Sequence, residues 1–295
     1  MLALALGFGA DRLLGDPQRW HPVAGFGRSA AALERLMWRP SRASGAAYAG
    51  LLVAAAAAPV AVVERRLGRG RSLFGALVVW TALGGRSLER VALEVAEAVA
   101  GGDVARARAL VPALVGRDPA SLDEAGLVRA AVESVAENTS DAVVATLLWA
   151  AVLGPAGAAG HRAVNTLDAM VGHRAPRCAE FGWAAARLDD LANWPAARAT
   201  ACVAALLGPG PWRAWGWARR RAREHPSPNA GLVEAAFAAA LRVRLGGPTV
   251  YGHGAESRPV FDAGPAPTAA DVRRAVALAA TVQRALLCVA LAVRA

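Results

Sequence analysis

Residues 133–174 read ESVAENTSDAVVATLLWAAVLGPAGAAGHRAVNTLDAMVGHR, ionisable at both ends and apolar between. Ala142 to Gly160 is 19 residues without a charge, long enough to cross a bilayer. The run contains Gly154-Pro155-Ala156-Gly157, however, a cluster that breaks helices. The expectation is a helical hairpin with arms of about Ala130–Leu153 and Ala158–Val171. At 1.5 Å rise per residue, a turn centred between Pro155 and Ala156 sets Val143 level with Asp168 and Asp141 level with Met170. The polar ends then meet. Glu133, Glu137 and Asp141 follow i, i+4, i+8 and share a face, as do His161, Asn165 and Asp168. Three like charges in a row call for a metal, for cations or for solvent. Asn138, Thr139, Ser140 and Asp141 are good N-caps and poor helix formers, so they could instead end one helix and begin the next, leaving an anion-binding start.

The bulk composition points to a membrane. Of 295 residues, 55% are hydrophobic and only 19% charged, below the soluble norm of about 25%, and mean hydropathy is +0.32. The net charge of +10 comes with no lysine at all: the 33 cations are all arginine. It admits an anionic lipid, an anionic substrate or nucleic acid. Cys178, Cys202 and Cys288 are widely spaced, which implies neither a disulfide framework nor a zinc site. The apolar start, Met1–Ala10, lacks the features of a cleavable signal.

Ahead of the hairpin, Gly15-Asp16-Pro17 and His21-Pro22 are turns, and His21 is a candidate ligand for phosphate or carboxylate. Ala46–Val63 is a second apolar run, and the arginines after it place the following loop in the cytoplasm. Residues 86–130 alternate as amphipathic helices, with Asp103 as one cap and Ser121-Leu-Asp-Glu124 as a capping box, and read as a water-facing insertion feeding the site.

Beyond the hairpin, Phe181–Arg198 brings Arg187 and Asp190, and Asp189 and Asn193, to neighbouring helical positions before a break at Pro195. Adjacent carboxylates with an amide one turn on suit magnesium, which shares oxygen ligands with phosphates, although an ordinary Arg–Asp surface pair fits as well. Trp212, Trp215 and Trp217 among arginines mark a membrane interface, without any nucleic-acid-binding motif. Asn229 is a cap for a helix to Leu245, residues 251–267 form a loop, and a last helix from Thr268 turns apolar from Ala285.

These motifs together resemble one family. GDP and HPV near the start, RAAVESVAENTSDAVVA, HRAVNTLDAMVGHR, FGWAAARLDDLANWPAAR, and HPSPNAG with LGGP stand in the order of the CobD/CbiB family of cobalamin biosynthesis, over about residues 11–265. His161 and His173 stand where Tyr is expected, and Thr146 where Pro is usual; the carboxylates are intact. The resemblance implies an all-α, multi-span integral membrane helical bundle, one domain over 1–295 with the cytoplasmic insertion at 86–130. It implies an amide ligase joining aminopropanol or its phosphate to the propionate of adenosylcobyric acid, with ATP and Mg²⁺. Localisation is the cell membrane, with the active site facing the cytoplasm. The partners are the corrinoid substrate and membrane lipid, not nucleic acid, with self-association or association with other corrinoid-pathway enzymes left open.

For that chemistry the expected catalytic set is Glu133, Glu137, Asp141 and Asp168. Metal falls to Glu137, Asp141, Asp168, Asp189 and Asp190. Substrate falls to His21, Asn138, Arg162, Asn165, Arg174, Arg187, Asn193 and Asn229. Two rivals use the same residues differently. A membrane prenyl- or phospho-transferase would hold Mg-diphosphate on Asp/Asn helices, and a non-catalytic scaffold would recruit corrinoid enzymes.

Overall fold

The computed structural model describes residues 1–17, 21–173, 175–251 and 254–294. They divide into two compact units: residues 1–86, 141–193 and 287–295 form the first, and residues 87–140 and 194–286 the second.

The first unit is built on the hairpin. Helix α8 (Ala145–Leu153) and helix α9 (Pro155–Val171) pack against each other across Gly154, whose φ of 74° is the left-handed conformation a glycine supplies. Proline at the first position of α9 lacks an N–H that would have no helical partner there. The turn therefore lies slightly earlier than the Pro155–Ala156 midpoint. Thr146 faces His161 at 3.2 Å, so the level pairs shift and Asp141 comes level with about Thr166 rather than Met170. Helices α1 (Leu2–Leu14) and α4 (Arg71–Ala82) cover one side with a core of Leu4, Phe8, Val79, Leu83, Leu147 and Ala158. Helices α2 (Pro22–Met37) and α3 (Arg42–Arg66) cover the other with Ala30, Tyr48, Leu52, Leu167 and Phe181.

Helix α3 and the C-terminal α13 (Ala269–Val293) are long and apolar enough to cross a membrane. Only 17% of the apolar window of α3 is buried, which leaves Leu51, Val62 and Val63 exposed. Among the described residues these are the two helices of that kind, fewer than a multi-span reading anticipates. The uncharged run at 142–160 is folded back at Gly154 into arms of 9 and 17 residues.

The second unit is mostly helical: α5 (Gly85–Ala100), α6 (Val104–Leu110), α7 (Glu124–Asn138), α11 (Pro211–Arg221) and α12 (Ala230–Leu241), around Val95, Leu127, Val132, Phe237 and Val272. It is not purely α. Strand β1 (Arg244–Gly246) pairs antiparallel with β4 (Val260–Asp262), and β2 (Thr249–Tyr251) with β3 (Gly254–Glu256). Gly246 and Gly247, both at positive φ, carry the chain from β1 towards β2 within the stretch that reads as loop.

Local corrections follow from side-chain bonding. Asn138–Asp141 neither ends nor starts a helix. Asn138 Nδ2 and Thr139 Oγ1 donate back to the carbonyls of Ser134 and Val135, and the chain continues as a π-helical segment, Thr139–Val144, into α8. The cap of α7 is Asp123, accepting from the Gly126 amide at 2.7 Å, rather than Ser121. Helix α12 stops at Leu241, with Arg242 left-handed, and its first amides are met by Ser227 Oγ rather than by the Asn229 side chain. Helix α10 (Trp183–Leu207) runs straight through Pro195. Asp103 does cap α6, accepting from the Arg106 amide at 2.9 Å.

Candidate functional site

In the first unit the expected residues collect around Arg162, the residue that follows His161 in α9. Its charge neighbours are Asp16, Asp11 and Asp141, so Asp141 is brought to it from the π segment. Its Nη1 donates to Asn165 Oδ1 at 3.4 Å, and Asn165 Nδ2 donates to Asp189 Oδ1 at 3.4 Å. Gly84 stands beside the guanidinium, where a Cβ would come within 3.4 Å of Arg162 Nη2 and 3.9 Å of Asp16 Oδ2. Arg162 lines a cavity of about 550 Å³ whose other walls include Phe26, Val60, Trp80 and Thr166. An arginine at the edge of an apolar cavity can grip a phosphoryl or carboxylate group with two N–H donors while the walls take an apolar body.

His21 belongs to this neighbourhood. Its Nδ1 accepts from the Val23 amide at 3.1 Å and caps α2. Burial lowers its pKa and Arg162 lowers it further, against the pull of Asp16, so the ring favours its neutral form. His161 and Asn193 are structural partners: the buried ring joins Thr146 Oγ1 to Asn193 Oδ1, the latter at 2.9 Å, and ties α9 to α10. Arg187 is largely exposed and pairs with Asp190 at 3.2 Å, as an ordinary surface pair does. Asp168 is half-buried near the C-terminal end of α9, its carboxylate beside Gly172. Arg174 lies outside the described residues.

In the second unit Glu133 and Glu137 lie one turn apart on α7. Glu133 is buried, receives a short contact from Arg117, and accepts from the Gly246 amide at 2.5 Å; Arg129 stands 4.0 Å away. Asn229 is buried too, its Oδ1 accepting from Arg198 at 2.5 Å. Glu133 and Glu137 thus belong to one compact unit and Asp141 and Asp168 to the other. The 3.6-residue spacing that put Glu133, Glu137 and Asp141 on one face does not carry through the π segment. Among the described residues, no three His, Cys, Asp or Glu side chains form a group able to hold a metal ion.

Sequence reasoning passed over Glu234, which is 1% exposed on α12 and electrostatically coupled to Glu133, Glu137, Arg258 and Arg117. It is the only charge in the helix AGLVEAAFAAAL, and that isolation was the available signal. Burial raises the pKa of Glu234 well above the ordinary glutamate value of 4.5, and the charges of Glu133 and Glu137 raise it further. Glu137 is raised chiefly by burial, against the guanidiniums of Arg258 and Arg117.

The sign of the consequence is fixed. Above pH 4.5 the unfolded chain gives up the Glu234 proton while the folded chain keeps it, so rising pH favours unfolding. Glu234→Gln removes that contribution. Its melting temperature relative to wild type is expected to climb from pH 5 to pH 8; parallel curves across that range would contradict the assignment.

The comparisons with known proteins agree with one another. The family model described as CobD/Cbib protein matches residues 4–279. The chain is 52% identical over 281 residues to "Cobalamin biosynthesis protein CobD" of Mycobacterium tuberculosis H37Rv, covering 92% of this chain and 89% of that protein. Proteins of the same description from Chromobacterium violaceum and Rhodobacter capsulatus are 45% and 41% identical, over 91% and 94% of this chain and 88% and 91% of theirs. No solved structure matches. A match over nearly the whole length, with the sequence motifs in place, makes this chain a member of the CobD/CbiB family.

Proposed function

We propose that the chain acts in cobalamin biosynthesis as an ATP- and Mg²⁺-dependent amide ligase. It joins the amine of aminopropanol, or of its phosphate, to the propionate carboxylate of adenosylcobyric acid. The observation that carries the reading is the setting of Arg162, a guanidinium on the wall of an apolar cavity that feels the charges of Asp16, Asp11 and Asp141.

A carboxylate is too stable to acylate an amine unaided. In the proposed course a propionate oxygen attacks the γ-phosphorus of ATP, ADP leaves, and an acyl phosphate results. The amine then attacks the acyl carbon, inorganic phosphate leaves, and the nitrogen sheds its proton. Such steps depend on positioning and charge stabilisation more than on covalent help. Arg162 grips the propionate or the phosphoryl group, Asn165 sets the guanidinium by its hydrogen bond, and neutral His21, whose Nδ1 is taken by the Val23 amide, offers an Nε2–H donor. Glu133 and Glu137 line the polar interior of the second unit, and Asn138, Asn193 and Asn229 hold local geometry.

Mg²⁺ would arrive on the nucleotide and draw charge from its phosphoryl oxygens. Asp141 and Asp168, with Asp189 and Asp190, are the hard oxygen donors that suit it. A magnesium ion keeps waters and shares substrate phosphates, so one or two protein carboxylates suffice and a preassembled three-ligand cage is not required. The two long apolar helices, α3 and α13, support a place in the cell membrane, and the arginines that follow α3 support a site open to the cytoplasm.

The test is direct. Purified protein in detergent, given adenosylcobyric acid, aminopropanol phosphate and Mg-ATP, is expected to yield the amide and ADP. Asp168→Asn is expected to lower the rate by about 10²-fold or more while leaving the melting curve intact. Full activity in that variant removes Asp168 from the site, and absence of amide from wild type removes the reading.

A further inference from the structure

The second unit holds a polar interior that the proposed phosphoryl chemistry leaves unused. Helix α7 carries Glu133 and Glu137 one turn apart, and α12, which packs on it, delivers Glu234 to the same place. Glu133 is satisfied by Arg117 and the Gly246 amide. Glu234 is not: its Oε1 is buried without a hydrogen-bond partner, in a residue only 1% exposed. A buried acceptor left in that state is rare and destabilising, so something in the working protein meets it.

The sign of the missing group follows from the surroundings. An unmet carboxyl oxygen close to two further glutamates takes a hydrogen-bond donor, and a positively charged donor holds it best. Its kind follows from the donors such a pocket needs: an ammonium presents three rotatable N–H donors and accepts loose arrangements of carboxylate oxygens. Glu137 is only partly buried, so it is the member of the cluster a small molecule would meet first.

We propose that Glu133, Glu137 and Glu234 form a binding site for a small primary ammonium, which takes the place of the Glu234 proton as it enters, with Glu234 the residue that selects for its charge. Its identification as the site of the amine to be acylated rests on the amide-ligase reading. The charge selection does not.

The test uses full-length protein in detergent at pH 8 and titration calorimetry. The probes are 1-amino-2-propanol and propane-1,2-diol, which has nearly the same shape and no charge. The amine is expected to bind and the diol not to bind at tenfold higher concentration. Glu234→Gln, which keeps the shape of the side chain, is expected to weaken amine binding by about tenfold or more with its melting transition retained. Equal binding of diol and amine by wild type, no amine binding at all, or unchanged amine binding in Glu234→Gln overturns the proposal.

The two readings fail separately. Amide synthesis with an unchanged KM for the amine in Glu234→Gln sinks this site and leaves the ligase reading standing. Charge-selective amine binding without amide synthesis does the reverse.

Discussion

Arg162→Lys is expected to reduce amide synthesis by about 10²-fold with only a small change in melting temperature. Lysine keeps the positive charge that Asp11, Asp16 and Asp141 surround, so the carboxylates are not left facing one another. What it loses is the planar fork. Arginine presents two parallel N–H donors to a phosphoryl or carboxylate group, and lysine offers a point charge on a flexible stem. Removing one well-placed donor to a developing anion lowers rates by about 10²–10³-fold in well-studied enzymes. The loss should fall mainly on kcat/KM for ATP or for the corrinoid acid rather than for the amine. A KM effect confined to the amine would place Arg162 elsewhere in the reaction, and wild-type kinetics would remove it altogether.

Glu133→Ala is expected to destabilise the protein by about 3–5 kcal/mol, a large share of the roughly 5–15 kcal/mol that holds a typical domain folded. The side chains of Arg117 and Glu133 are 4% and 2% exposed, so neither can turn to water when the other is removed. The same substitution strips the Gly246 amide of its acceptor and so loosens β1 from α7. The double replacement Glu133→Leu with Arg117→Met removes both charges together and is expected to recover most of the loss, because two buried charges contribute little net stability once both are absent. Chemical denaturation of wild type, the single variant and the double variant measures this. A single variant as stable as wild type would show that the pair is not buried in the working protein.

The helical hairpin was legible because its signals are local. A long uncharged run with Gly154-Pro155 inside it has few alternatives, and the fold turns at that glycine. Asp103 was readable as a cap for the same reason. The π segment was not readable, since Asn138 and Thr139 satisfy their polar atoms on the preceding turn, and that choice depends on packing. Pro195 sits within α10 because its neighbours hold the helix together across a missing donor; Asn193, just before it, is fixed by His161. The short ribbons at 244–262 escaped notice because three-residue strands give no periodicity to count.

The site divides in the same way. Arg162, Asn165 and Asp189 lie on neighbouring helices whose faces follow from spacing, and they do converge. Arg117, Gly246 and Glu234 come to Glu133 and Glu137 from sequence positions up to about a hundred residues away, and no local pattern announces such a meeting. Only the isolation of Glu234 in an apolar helix hinted at it.

Everything functional in this account turns on ATP activating the propionate by phosphoryl transfer before the amine attacks. Adenosylcobyric acid labelled with ¹⁸O in that carboxylate, turned over with aminopropanol phosphate and Mg-ATP, tests it in one measurement. The account predicts one labelled oxygen in each inorganic phosphate released, in step with each amide formed. Label found in AMP, or amide formed with no label leaving the acid, would contradict it.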